Sequence, residues 1–529
     1  MRSAPSGLDT TVEVRRGNLY EKYVSSGNAV DLPLGKDDYA EILRIKWPNG
    51  FVESKLRVDA GRLWSFKESE RVSGSCPSVF AWDGGQFRFI TDAFISGPMG
   101  VPYGRGSYFP VDHDEYVKIP GDALRSSDAR LRIAITEELR EAVFLDRARL
   151  LAVDHPLDTE AFPNEFLHAG EFPEFKVHLT RDARPPATAR DQRGRDVREL
   201  ISAADRRYPT GFQRLQYEGL AEENGVEFSL PPGAAQAPSL RLFLTGWFHY
   251  FESTSLVAVA QRTDLRPQWP QIEVLDRGSW RKVVEIGIPS GKDKTVVVDL
   301  THRLPPDAQQ LRIRTNLALY WDRIAIDASP APHEMSLAAV SLASARLRFK
   351  GFSSFEPVEA AARPQPERFV HAATHYNAPW NPLEGSYTRY GLVDALLGQV
   401  DSQMAVFGSG DEVLLEFDSS ALPELRRGWR RDYLLHLDGF VKDGDKYTAH
   451  AGRLDPIPYA GLKSYPYDPE DGARAVFSSP AYRDYVTRYQ TRAPLRFTGP
   501  TLAPPALPEA SRRLSSAATP RDHNHDVHP

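Results

Sequence analysis

The chain has 529 residues, 41% of them hydrophobic and 11% aromatic, which supplies enough apolar surface for buried cores and excludes wholesale disorder. A formal net charge of -6 leaves no concentrated basic face for nucleic acid, and no run approaches the ~18 apolar residues of a membrane helix. The single cysteine, Cys76, excludes an intrachain disulfide and a cysteine-based zinc site; a buried structural thiol is expected there. Forty-two prolines and 37 glycines among many β-branched and aromatic residues favour short strands joined by turns.

In chain order, residues 1–72 alternate as strands do. Thr11-Val-Glu-Val-Arg15 and Ile42-Leu-Arg-Ile-Lys-Trp47 are strand candidates, with Pro48-Asn-Gly50 turning the chain into Phe51-Val52. Residues 73–215 follow as a second β-rich unit. It opens on Cys76-Pro-Ser-Val-Phe-Ala-Trp-Asp-Gly-Gly-Gln-Phe-Arg-Phe-Ile-Thr-Asp92, two apolar runs about a Trp82-Asp-Gly-Gly85 turn, which reads as a hairpin. Leu131–Thr136 and Ala142–Val153 continue the sheet, and 181–215 reads as a connecting loop with one short helix near Val197–Ala203.

The third unit, 216–330, offers five strand candidates, Leu240–Trp247, Gln271–Leu275, Lys294–Leu300, Leu311–Thr315 and Trp321–Ile326. Short strands with polar turns argue for an antiparallel sandwich, and their order resembles a galactose-binding-type jelly roll. A fourth unit, 331–495, adds strands at Ala345–Lys350, Glu412–Phe417 and Tyr433–Leu437, a helical turn at Leu392–Leu397 and a short helix over Ala481–Tyr489. The tail, 496–529, lacks periodicity and is expected to be disordered. The fold class is therefore mainly β: several antiparallel sandwich or jelly-roll-like units with a disordered C-terminal tail.

Three segments, Gly27-Asn-Ala-Val-Asp-Leu-Pro-Leu-Gly35, Leu43-Arg-Ile-Lys-Trp-Pro-Asn-Gly50 and Leu63-Trp-Ser-Phe-Lys-Glu68, resemble the ASPIC/UnbV domain of the bacterial FG-GAP-repeat (cartilage acidic protein-like) family. Looser resemblance extends to about residue 492. It implies a non-enzymatic binding or scaffolding portion of an exported protein, associated with an upstream propeller or repeat protein. Family members carry those repeats before this domain, whereas this chain begins almost inside it, so the calcium-bound blades do not carry over. Met1-Arg-Ser-Ala-Pro-Ser6 lacks the apolar core of a signal peptide; an extracytoplasmic location would place the export signal upstream.

The acidic group Asp438-Gly-Phe-Val-Lys-Asp-Gly-Asp445 is the candidate metal site. Asp438, Asp443 and Asp445 in a glycine-containing loop could converge on calcium, which takes several oxygen ligands, although a solvated turn explains the same residues. For a glycan or protein ligand the candidates are Trp247, Tyr250, Trp269 and Trp280, whose rings could stack on sugars if exposed or fill the sandwich core if not. His371 and His375 have helical spacing but lack the zincin glutamate. Glu137–Glu138 and Asp411–Glu412 are adjacent pairs, which face opposite sides of a strand and make no ready glycosidase dyad. The alternative function is a carbohydrate-active enzyme with a carboxylate pair between β domains.

Overall fold

Among the described residues the alternating patterns become antiparallel strands in seven sheets. The computed structural model describes residues 7–497 except 49, 69–76, 95–98, 105, 171, 357–365, 367, 469 and 471. Cys76 and all but the first two residues of the expected tail lie outside the described residues.

Residues 11–59 form a four-stranded antiparallel sheet in the order Leu19–Val24, Thr11–Arg16, Tyr39–Lys46, Val52–Asp59. One face carries Val14, Leu43, Ile45 and Trp47, all at most 4% exposed.

A ten-stranded sheet is the centre of the molecule. Its main path runs Phe87–Asp92, Ser78–Trp82, Arg130–Thr136, Asp411–Asp418, Ser336–Phe349, Glu141–Pro156, Trp429–Asp443, Asp114–Ile119. Strands from the second and fourth expected units alternate within it, so 73–215 and 331–495 are not two bodies. Leu131 lies opposite Phe417, and Leu151 opposite Leu434. These pairings bury Ile133, Ile135, Leu145, Leu415 and Leu435 in one core. Neither half has a complete sheet alone, which is why a boundary drawn by local composition fails here. The 16-residue strand Glu141–Pro156 pairs along its length with Trp429–Asp443, interrupted by one bulge between Leu145 and Arg147.

Between these halves the chain makes the sandwich. A five-stranded sheet (Ala189–Asp191, Leu220–Ser229, Gln310–Leu317, Gln271–Asp276, Ser279–Glu285) faces a three-stranded one (Lys294–Asp299, Arg241–Phe248, Leu319–Asp327). Leu242, Leu244, Ile324 and Val296 pack against Ile272, Val274, Leu311 and Ile313. All five expected strands are present, and the sandwich starts earlier than expected, because Ala189–Asp191 comes from the stretch read as a connecting loop. The short helix of that stretch is the 3₁₀ turn Glu199–Ile201. The C-terminal helix is Pro480–Tyr489, with the Ser479 side chain accepting the Tyr482 N–H at its start and proline in its first turn. Ser253–Ala260 is a helix that the strand patterns did not suggest.

The sandwich is fastened to the central sheet by buried charges. Lys292 and Asp92 are fully buried, with Nζ 3.7 Å from Oδ2. Asp92 also accepts the Tyr250 hydroxyl at 2.8 Å and the Lys292 N–H at 2.7 Å. The Lys292 ammonium finds no hydrogen-bond acceptor among the described residues and lies over the rings of Phe89 and Phe369. Lys294 pairs with buried Glu115, and Glu165 accepts the Ser290 hydroxyl at 3.0 Å.

Candidate functional site

Among the described residues no second sheet covers the apolar face of the four-stranded sheet. The loops 27–35 and 59–66 arch above it instead, enclosing a cleft of about 1200 Å³ lined by Val12, Leu32, Leu34, Leu43, Ile45 and Trp47 among others. Gly35 (φ 66°) and Gly61 (φ 73°) hold left-handed turns in these loops, a conformation that costs other residues energy. Leu63 is 86% exposed at the rim, beside Trp64 at 38%. The Arg62 guanidinium lies 3.6 Å from the centre of the Trp64 ring, and Phe66 stacks on that ring at 6.3 Å. Trp380 packs on Phe51 at 6.3 Å, and the Val52 N–H donates to the Pro379 carbonyl, tying this sheet to the rest of the molecule.

A second group of chemical interest lies on the central sheet, where the register sets Asp438 between Asp114 and Arg147, and His436 between Tyr116 and Arg149. The bulge makes Asp146 the extra residue directly beside this row, and bulges commonly re-aim side chains near functional sites. His113 Nδ1 is 3.1 Å from Asp438 Oδ2, His436 Nε2 is 2.6 Å from Asp114 Oδ1, and Arg147 Nη2 reaches Asp438 at 4.0 Å. Tyr116 stacks on the His436 ring at 4.4 Å. The hydrogen bond to Asp438, with that carboxylate's charge, raises the His113 imidazolium to about 9 against the opposing effect of burial. Burial pushes Asp114 up, but the His436 hydrogen bond and the charges of His113, His436 and Arg147 outweigh it and hold Asp114 below its usual range.

His113, Asp114 and Asp438 offer three ligand atoms within 4.8 Å of one another, a spacing compatible with a cation. Protonated His113 and Arg147 already supply positive charge to the same carboxylates, so a metal would have to displace a proton. The alternation His436-Leu-Asp438 could have announced a shared strand face. Nothing local in the sequence links it to His113 and Asp114, more than 300 residues away.

Asp438, Asp443 and Asp445 do not meet at a calcium site. Asp438 faces His113, while Asp443 accepts the Asp445 N–H at 3.0 Å. Asp445 is 1% exposed and accepts the Thr254 hydroxyl at 3.1 Å and the Tyr447 N–H at 3.2 Å, so it anchors the Ser253–Ala260 helix. Of the flanking lysines, Lys442 is buried, donates to Tyr465 at 2.7 Å and is lowered to about 7 by burial, and Lys446 pairs with Asp9. Asp445→Ala is expected to lower stability by about 1–3 kcal/mol, because it leaves the buried Thr254 hydroxyl without its acceptor. The loss should be equal with and without millimolar calcium in a melting experiment; a loss confined to the calcium-loaded sample would restore the metal reading.

The four aromatic candidates likewise form no platform. Trp247 and Trp269 are 2% and 6% exposed. Trp247 stacks on Tyr320 at 4.6 Å beneath Tyr208, and Trp269 packs in the sandwich core. Tyr250 is turned inward to Asp92, and Trp280 lies under the Arg312 guanidinium at 4.4 Å. Sandwich strands put alternate side chains into the core, and Tyr208 and Phe212 cover the outer row around Trp247 and Tyr320, while Trp280 is half-buried on the edge strand Ser279–Glu285.

Three of these four carboxylates are engaged in ion pairs, whereas Glu137 accepts the Leu139 N–H at 2.8 Å and is pushed up by burial and by the charges of Glu141, Glu138 and Asp411. Glu138 meets Lys350 at 2.9 Å, Asp411 meets Arg492 at 2.6 Å, and Glu412 meets His371 and Arg348 at 2.5 and 2.6 Å. His371 and His375 belong to the strand Phe369–His375, so their spacing is not that of one helix face.

No family model matches the chain, and no curated protein matches it. No helix among the described residues is long and apolar enough to cross a membrane.

Proposed function

We propose that this chain is a non-enzymatic binding module of the ASPIC/UnbV type, working in an exported protein beside an upstream propeller or repeat domain, and that it holds a protein ligand in the cleft of its N-terminal sheet. One observation carries the reading: exposed apolar side chains stand at the rim of this cleft, Leu63 at 86% and Trp64 at 38%. Exposed apolar surface beside a largely apolar cleft is the usual mark of a protein-binding face. A glycan is less well suited, because Arg62 and Phe66 lie against the Trp64 ring that would have to stack on a sugar.

The test is to pan a displayed random-peptide library, and in parallel a glycan array, on the full chain. Peptides with apolar anchors are expected to bind, and to lose at least tenfold in affinity against the Leu63→Asp, Trp64→Ala double variant. Peptides held equally by the variant, or glycans captured in preference, would overturn the reading.

A further inference from the structure

Lys292 stands in the sandwich between the strands Ser279–Glu285 and Lys294–Asp299, and Asp92 ends the strand Phe87–Asp92 of the central sheet. The two are 200 positions apart in the chain. Both side chains are fully buried, and Nζ lies 3.7 Å from Oδ2. A buried ammonium carries three N–H donors and ordinarily satisfies them with hydrogen bonds. Among the described residues Lys292 Nζ makes none. The ring centres of Phe89 and Phe369 lie 5.7 and 5.8 Å from it. The fold therefore holds a primary amine against a carboxyl group in a dry, aromatic setting.

We propose that Lys292 and Asp92 condense to an intramolecular amide, which joins the sandwich covalently to the central sheet. The buried ion pair is the reactant. One proton passes from the ammonium to the carboxylate, and the freed amine attacks Cγ. The Nζ–Cγ bond forms and the Cγ–Oδ2 bond breaks. Oδ2 leaves as water with two of the three ammonium protons, and the third stays on the amide nitrogen. No oxidant, cofactor or second reactant enters.

The first support is proximity. Groups fixed by a fold react as if at ~10⁵–10⁸ M, which outweighs the preference of free amines and acids in water to stay apart. The second is polarisation. Oδ1 accepts the Lys292 backbone N–H at 2.7 Å, and Oδ2 accepts the Tyr250 hydroxyl at 2.8 Å. These donors draw electron density from Cγ, and the N–H stabilises the oxyanion that develops on Oδ1. Burial and the charge of Asp92 raise Tyr250 well above the usual tyrosine range, so its hydroxyl keeps the proton that steadies the departing Oδ2. The third is the product. A neutral amide replaces a buried ion pair and its desolvation penalty, and the reverse reaction needs water at a site with no exposure. A chain with one cysteine has no intrachain disulfide to make such a link.

The experiment is the intact mass of the full chain under denaturing conditions, followed by peptide mapping. The unsubstituted chain is expected to be lighter than its sequence by the mass of one water. Its digest should contain a branched peptide in which Lys292 is joined to Asp92. Lys292→Met and Asp92→Ala should each show the full mass of their sequences. Asp92→Asn should still condense, losing ammonia in place of water. In freshly synthesised Tyr250→Phe the lighter species should accumulate at least tenfold more slowly.

The unsubstituted chain decides the matter by itself, however well the variants fold: a full mass there would overturn the proposal. A lost water that persists in Lys292→Met would also overturn it, by assigning the loss to a cyclic imide or to another pair of residues. Condensation of Tyr250→Phe at the unsubstituted rate would overturn the role given to that hydroxyl.

Discussion

Replacing Asp92 by alanine is expected to destabilise the protein by about 3–5 kcal/mol, the range for breaking a buried ion pair from one side. The substitution leaves the fully buried Lys292 ammonium with only the faces of Phe89 and Phe369, and strands the Tyr250 hydroxyl and the Lys292 N–H. Replacing Lys292 by methionine as well should recover part of the loss, since a buried pair exchanged for apolar side chains of similar volume is often neutral. A chain of this size with several cores need not unfold in one step. The measurement is therefore the transition in which the sandwich loses protection, followed by hydrogen exchange over Arg241–Phe248. A loss below 1 kcal/mol in Asp92→Ala, or no recovery in the double variant, would show that the charges do not hold the two bodies together.

Asp322→Asn is expected to stabilise the protein at pH 8 and to leave it unchanged near pH 4. Burial, reinforced by the charges of Asp293 and Asp205, pushes the Asp322 carboxyl up to about 7, against the N–H groups of Arg206 and Asp205 that it accepts at 2.8 and 3.2 Å. A folded-state value raised above the unfolded one, near 3.9, means that the neutral acid is favoured by folding. The stability it contributes is complete below about pH 4 and is lost as pH rises through 7. Both N–H groups point at the same oxygen, so the asparagine carbonyl can keep them while the charge is gone. The gain at pH 8 should be on the order of 2 kcal/mol, since each tenfold change in proton affinity is worth ~1.4 kcal/mol and solvent screening takes back part of it. Melting temperatures of the two proteins at pH 4 and pH 8 decide it; a gain of equal size at both would refer the effect to packing instead of ionisation.

These effects turn on contacts that pattern reading could not supply. Strand identity was legible: Leu311-Arg-Ile-Arg-Thr315 and Trp321-Asp-Arg-Ile-Ala-Ile326 alternate because one face of each strand is buried and the other is not, and both are strands. The Pro480–Tyr489 helix was legible from its spacing of aromatic residues. The acidic loop and the tryptophans carried a chemical vocabulary without a position. The residue types at Asp445 and Trp247 suit a ligand or a core equally well, and only the approach of Thr254 and Tyr320 decides for the core.

What the amino-acid order determined by itself is local: mainly β, antiparallel, a sandwich in the middle and a short helix near the end, all set by interactions within about ten residues. What the tertiary structure alone decided is pairing at long range. Arg130–Thr136 finds Asp411–Asp418, and Glu141–Pro156 finds Trp429–Asp443, across nearly 300 residues. Those pairings place Asp438 beside His113 instead of Asp443, and among the described residues they leave the N-terminal sheet with one apolar face under loops. Strand formation follows the alternation of side chains along one segment. The choice of neighbour depends on which faces of distant segments complete a core, and no single segment encodes that.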